Sequence, residues 1–242
     1  MKKGVIAFID VLGVKGLWAR TNPKEFMRSW KQVLRLFSAS RKAMLKVYGY
    51  SGKQTSIRAF SDTIIITFTT KDNPVDYILF MGDLLMFPFF GAIDMGIYLR
   101  GVINIGEFEI SDTIILGPAI DEAAEWYTKP DWFGISLTPS ASFGLEQLID
   151  KGVDHSKIFI EYDIPMKTGV ENVKSFALNW PHNFVSFIKH HGRTENLGRS
   201  ALLESFSKGQ IIVETYKKYK NTIAFWDYVM GDKKIKVKTL NN

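Results

Sequence analysis

Two aspartates interrupt apolar runs between similar neighbours: Asp10 in AFIDVLGVKG and Asp62 in RAFSDTIIITF. An ionised carboxylate inside an apolar strand is costly unless something compensates it. Either the strand stops at the acid, or a cation sits against it. If the first strand lies beside the tip of a hairpin pivoting at Ser61-Asp62, the two carboxylates face each other and repel unless a divalent cation bridges them. Two hard oxygen donors plus a backbone carbonyl suit Mg²⁺ or Mn²⁺, with nucleotide phosphates supplying further oxygens. Such a site lowers the barrier to attack on phosphorus by neutralising developing charge. The plain alternative is that each aspartate ends a strand or caps a turn, a common use of the residue. The glycine-containing turn after Asp10 offers free backbone N–H groups to a triphosphate, although G-x-x-G also matches many ordinary turns.

The elements that must position these acids follow from the pattern. Val5 to Val11 reads as a buried strand. Asn22-Pro23 opens a helix, with Glu25 expected to complete a capping box. Phe26, Trp30, Val33, Leu34, Phe37, Leu45 and Tyr48 then recur on one helical face. Ser56–Phe60 and Thr63–Thr69 form the hairpin with the acid at its tip. Asp72-Asn73-Pro74 caps a second helix, kinked at Pro88 and ending near Gly96. Strands follow in IYLRGVINIGEFEI and DTIIL, then a helix over Ala119–Tyr127, a strand in FGISLTP and a helix in SASFGLEQLID. KIFIEY and SFALNW read as strands, and Ala201–Tyr228 as one long helix or two. The fold class is therefore α+β, and its first part has the ferredoxin-like βαββαβ order: an antiparallel sheet with helices on one face. No linker, repeat or low-complexity segment divides the chain. It reads as one domain over 1–242, a core of about 4–140 with a C-terminal elaboration over about 150–242.

Composition excludes several classes. The 242 residues are 46% hydrophobic and contain no cysteine, so neither a disulfide framework nor a thiolate metal site is possible. Lys plus Arg number 31 against 25 for Asp plus Glu, a net charge of +6 that suits an anionic partner. Part of that excess lies in the tail GDKKIKVKTLNN. The apolar stretch Tyr77–Phe90 contains Asp83 and Pro88 and reads as too short and broken to span a bilayer. No signal peptide is read at the N-terminus, and a cytoplasmic location without membrane or nucleic-acid partners is the expectation. His182 and His190-His191 have no acid at ligand spacing. Ser140 and Ser142 lie in no nucleophile elbow. Trp126, Trp132, Trp180 and Trp226 read as core or contact residues.

FIDVLG, RAFSD, RGVINIG and LGPAIDEAAEW, in that order, resemble the class III nucleotidyl cyclases over about residues 4–140. Their pattern is an F-x-D-x-x-G strand, an acid at a hairpin tip, an R-x-G-I-x-x-G strand and a G-x-x-V-N-x-A-x-R helix. FSDTIII, LRG, LGPA, LNWP and KYKNTIAF make the chain most similar to the stand-alone Pycsar pyrimidine cyclases, which make cyclic UMP or cyclic CMP in bacterial anti-phage defence. The resemblance implies a homodimer and two Mn²⁺ or Mg²⁺ ions held by Asp10, Asp62 and the Val11 carbonyl. It also implies phosphate binding by the turn Val11, Leu12, Gly13 and Val14, and a cyclic product read by a downstream effector. Departures from the pattern matter. The base-reading position four residues before Asp62 is Arg58 and the second is Ile114, so both purine-reading groups are missing and a pyrimidine is expected. Asp121 and Glu125 stand where the family has Asn and Arg. An acid cannot donate to developing phosphoryl charge. Either Arg100 substitutes as the catalytic cation, or the chain is a silent nucleotide-binding module. Arg100 could instead form a structural salt bridge to Glu122 or Glu125.

Overall fold

The computed structural model describes residues 1–12, 22–111, 113–190, 197–208 and 213–239. Strand β1 (Lys2–Val11) leads to helix α1 (Pro23–Tyr48), the hairpin β2 (Thr55–Phe60) and β3 (Thr63–Thr70), helix α2 (Ile78–Asp94) and strand β4 (Leu99–Ile110). Short β5 (Ile115–Leu116) precedes α3 (Pro118–Trp126), β6 (Ile135–Leu137) and α4 (Pro139–Asp150). Strands β7 (Phe159–Ile164) and β8 (Val173–Leu178) are followed by α5 (Trp180–His190), α6 (Leu197–Lys208) and α7 (Val213–Thr239).

The sheet runs β2-β3-β1-β4-β6-β8-β7, with β5 paired to β4. Its first four strands keep the expected ferredoxin-like order, but the sheet does not end there. β6 joins β4 in parallel, and β8 and β7 continue the same sheet, so the C-terminal part extends the sheet as well as adding helices.

Helices also lie on both faces, not one. Val5, Ala7, Ile9 and Val11 of β1 enter a core with Ile64, Ile66 and Phe68, the α1 residues Trp30, Val33 and Phe37, and most of α2. The alternate residues Ile6 and Phe8 meet Val102, Phe108 and the α3 residues Ala119, Ile120 and Ala123 on the other side. Burial on both faces explains why β1 reads as a continuous apolar run rather than an alternating one.

Asn22 caps α1 by accepting from the Lys24 amide. In α2, Pro88 has no N–H to offer the Leu84 carbonyl four residues back. The buried Ser40 hydroxyl of α1 donates to that carbonyl instead, at 2.8 Å. Asp83 is accommodated by the Tyr48 hydroxyl, which donates to it at 2.5 Å, while burial pushes the Asp83 carboxyl above its usual range. Pro74–Asp94 is, contrary to expectation, long and apolar enough to cross a membrane by length and composition, but 72% of its apolar 18-residue stretch is buried inside the protein. It serves as a core helix.

Candidate active site

The end of β1 brings three of the charged residues together. Asp10 is paired with Thr63 of β3 on one side and with Arg100 of β4 on the other. Asp62, adjacent to Thr63, is the second residue of the two-residue turn joining β2 to β3, and Ser61 before it has φ 56°. The Asp62 carbonyl accepts from the Val11 amide at 3.1 Å, and the Leu12 amide donates to the Tyr98 carbonyl at 2.8 Å. These bonds fasten the hairpin tip to the strand end, so the closeness of the acids is set by backbone pairing.

Arg100 supplies the compensation that Asp10 requires. Its Nη2 and Nε donate to the same carboxylate oxygen, Oδ2, at 2.9 and 3.1 Å. Its Nη1 donates to the Thr128 carbonyl at 3.3 Å. The two side chains are only 11% and 12% exposed. The partner of Arg100 is therefore Asp10 and neither Glu122 nor Glu125. Glu122 instead accepts from the Ser140 amide and hydroxyl and from Asn104. Burial raises the Asp10 carboxyl above its ordinary range, the Arg100 hydrogen bond and charge pull it back, the Asp62 charge pushes it up, and Lys167 pulls it down.

The donor set fits a hard divalent ion that brings other oxygens with it. Asp62 is half-buried at the tip. Both Asp10 bonds fall on Oδ2, leaving Oδ1 without a hydrogen bond among the described residues. No group of three or more His, Asp or Glu that could hold a metal occurs among the described residues. Two carboxylates and a backbone carbonyl leave half of an octahedral shell to water and phosphate, the usual manner of Mg²⁺. Gly13 and Val14, expected to bind phosphates, lie outside the described residues, as does His191.

Arg58 stands apart from this cluster, facing the same side of the sheet. In register terms it is two residues along and two strands across from Asp10, a Cα separation of about 12 Å from strand spacing and rise. It lines a cavity of about 170 Å³ with Lys2, Lys53, Ser56, Thr67 and Ser111. The Ser111 amide donates to the Ile114 carbonyl at 2.9 Å, but Ile114 does not line this cavity. Ile114 itself is 45% exposed. Asp121 and Glu125 lie on the exposed side of α3, away from the sheet.

Lys167 and Asp131 were not anticipated. Lys167 lies between β7 and β8, and its ammonium is pushed below its usual range by burial first, then by the Arg100 and Lys218 charges, while Asp131 and Asp10 act the other way. It thus lies within electrostatic reach of the site through topology alone, with no local motif to announce it. Asp131 is an acid among aromatics in EWYTKPDWFG, the signal that singled out Asp10, and the cations it demands are Lys217 and Lys218 at 3.5 and 3.1 Å.

No protein-family model matches this chain, and no curated protein matches it in sequence. Solved structures do. The monomeric guanylyl cyclase domain of the RhoGC fusion protein from the aquatic fungus Blastocladiella emersonii matches at 13% identity and a TM-score of 0.50, over 73% of this chain and 94% of that one. The guanylate cyclase domain of RhGC from Catenaria anguillulae, in complex with GTP, matches at 13% identity and a TM-score of 0.45, covering 73% and 96%. An adenylate/guanylate cyclase/hydrolase from Silicibacter pomeroyi matches at 17% identity and a TM-score of 0.43, covering 73% and 97%. The likeness to the Blastocladiella domain shows that this chain has the fold of a class III cyclase domain.

Proposed function

We propose that the chain is a nucleotide cyclase that converts UTP or CTP to the 3′,5′-cyclic monophosphate and pyrophosphate. The observation that carries this reading is the fastening of Asp10 and Asp62 at one end of a cyclase-like sheet, with Arg100 against them. In the reaction the ribose 3′-oxygen loses its proton to water and bonds to the α-phosphorus. The bond from that phosphorus to the bridging oxygen of pyrophosphate breaks. Being intramolecular, the reaction needs positioning and charge stabilisation above all.

Asp10, Asp62 and the Val11 carbonyl would hold two Mn²⁺ or Mg²⁺ ions, which when bound supply positive charge to the attacking and leaving oxygens. Asp10 would offer its carboxylate to the ions, and Arg100 beside it would offer its guanidinium to the phosphates. Arg58, four residues before Asp62 and on the same face of the sheet as Asp10, donates to a carbonyl oxygen of the pyrimidine base. The exposed Phe60 (83%), which shares a sheet face with Asp10 and with Phe8 beneath α3, supports a homodimer closing over the site. The likeness to the Pycsar enzymes supports cytoplasmic action in anti-phage signalling, with an effector that reads the cyclic product.

One observation favours a second reading, a silent nucleotide-binding module: Asp121 and Glu125 expose acids where cyclases carry a donor. Incubation with each of the four NTPs and Mn²⁺, followed by mass identification of products, separates the two. Cyclic UMP or cyclic CMP with pyrophosphate supports the enzyme. Binding of UTP without pyrophosphate release overturns it in favour of the module.

A further inference from the structure

A strap over residues 128–133 joins the candidate site to α7. At the site end, the Thr128 carbonyl accepts from Arg100 Nη1, and the Lys129 carbonyl accepts from the Lys167 amide at 3.0 Å. At the other end α7 grips the strap with one face. Lys218 and Lys217 reach the Asp131 carboxylate. Asn221 donates to the Asp131 carbonyl at 2.7 Å, and Thr222 Oγ1 accepts from the Phe133 amide at 2.8 Å. Positions 217, 218, 221 and 222 are neighbours on a helix.

The Lys218–Asp131 pair is not a solvated surface contact. The side chains are 13% and 9% exposed, whereas Lys217 is 57% exposed. Losing Lys218 leaves a buried acid with one solvated partner. Of the three hydrogen bonds of Arg100, two go to the Asp10 carboxylate and one to the Thr128 carbonyl, so the strap supplies the contact that aims the guanidinium independently of Asp10.

We propose that Lys218 and Asp131 are positioning residues: by docking the strap onto α7 they hold the Thr128 carbonyl where it directs Arg100. What Arg100 does rests on the cyclase reading; what holds it does not.

The test uses the full chain, with Lys218→Met and, should that variant fold poorly, the near-isosteric Thr222→Val. Asp227→Asn, which removes the charge from the exposed Arg199–Asp227 pair between α6 and α7, is the control. The Nη–H resonances of Arg100, identified by their loss in Arg100→Lys, are expected to exchange slowly in the wild type and in Asp227→Asn, and to be broadened or lost in Lys218→Met and Thr222→Val, because Nη1 is the donor to the strap. In turnover, Lys218→Met is expected to lower kcat about ten- to hundredfold, as sub-ångström to 1 Å misplacements do, with KM changed less. Combined with Arg100→Lys it should add nothing, because both act through one group. Unchanged Arg100 resonances in both strap variants, or kcat losses that multiply in the double variant, overturn the proposal. If the wild type turns over none of the four NTPs, the cyclase reading fails, and the resonances alone decide the strap.

Discussion

Arg100→Met removes one partner from a buried pair and leaves the other. Because the Asp10 and Arg100 side chains are 12% and 11% exposed, water cannot take over the lost bonds. Breaking a buried pair in this way costs about 3–5 kcal/mol. At about 2–4 °C per kcal/mol for a chain of this size, Tm should fall roughly 6–20 °C. Asp10→Asn/Arg100→Met removes both charges and should recover most of that loss. Proton linkage gives a further signature. Asp10 already lies above its usual range, and Arg100 is among the groups pulling it down. Without Arg100 the folded pKa rises further. The folded state then binds protons more readily than the unfolded one, so stability falls as pH climbs from the ordinary carboxylate value through the raised one. The deficit of Arg100→Met should therefore shrink on lowering the pH from 8 to 5. Millimolar Mn²⁺, replacing the lost cation, should raise the Tm of Arg100→Met by more than that of the wild type. Thermal scans at several pH values, with and without Mn²⁺, read all of this. Equal loss in the single and double variants, or a deficit that grows as the pH falls, would refute the reasoning.

Asp62→Ala should leave Tm nearly unchanged, since the backbone bonds of the tip remain, while abolishing cyclic-nucleotide formation by mass analysis. Arg58→Ala should raise KM for UTP about ten- to hundredfold, the value of a hydrogen bond from a charged donor, with a smaller change in kcat. Ser40→Ala orphans the Leu84 carbonyl that Pro88 cannot satisfy and should cost about 1–3 kcal/mol in urea unfolding, with m unchanged.

Local pattern revealed those features that depend on nearest neighbours. The periodicity of Trp30, Val33 and Phe37, the Asn22-Pro23 helix start and the two-residue turn at Ser61-Asp62 are short-range signals, and they form where expected. The charge puzzle at Asp10 was legible as a question, but its answer was not. Arg100 lies ninety positions away and becomes its neighbour only because β4 pairs with β1. Long-range pairing likewise hid the parallel β6 and the joining of β7 and β8 to the sheet, because SFALNW and KIFIEY carry no mark of their partners. It also hid Lys167 and Lys218. Their role depends on where a late turn and a late helix return to the sheet. Asp131, in KPDWFG, was readable by the logic that singled out Asp10: an acid set beside large apolar residues is costly unless something compensates it.

The central claim is that Asp10 and Asp62 together hold divalent ions. Mn²⁺ titration followed by electron paramagnetic resonance, on wild type, Asp10→Asn, Asp62→Asn and the double variant, tests it most directly. Each single variant should bind at least about tenfold more weakly than wild type, and the double variant should lose little beyond either single, because the two acids share one site. Wild-type affinity retained in either single variant would contradict the claim.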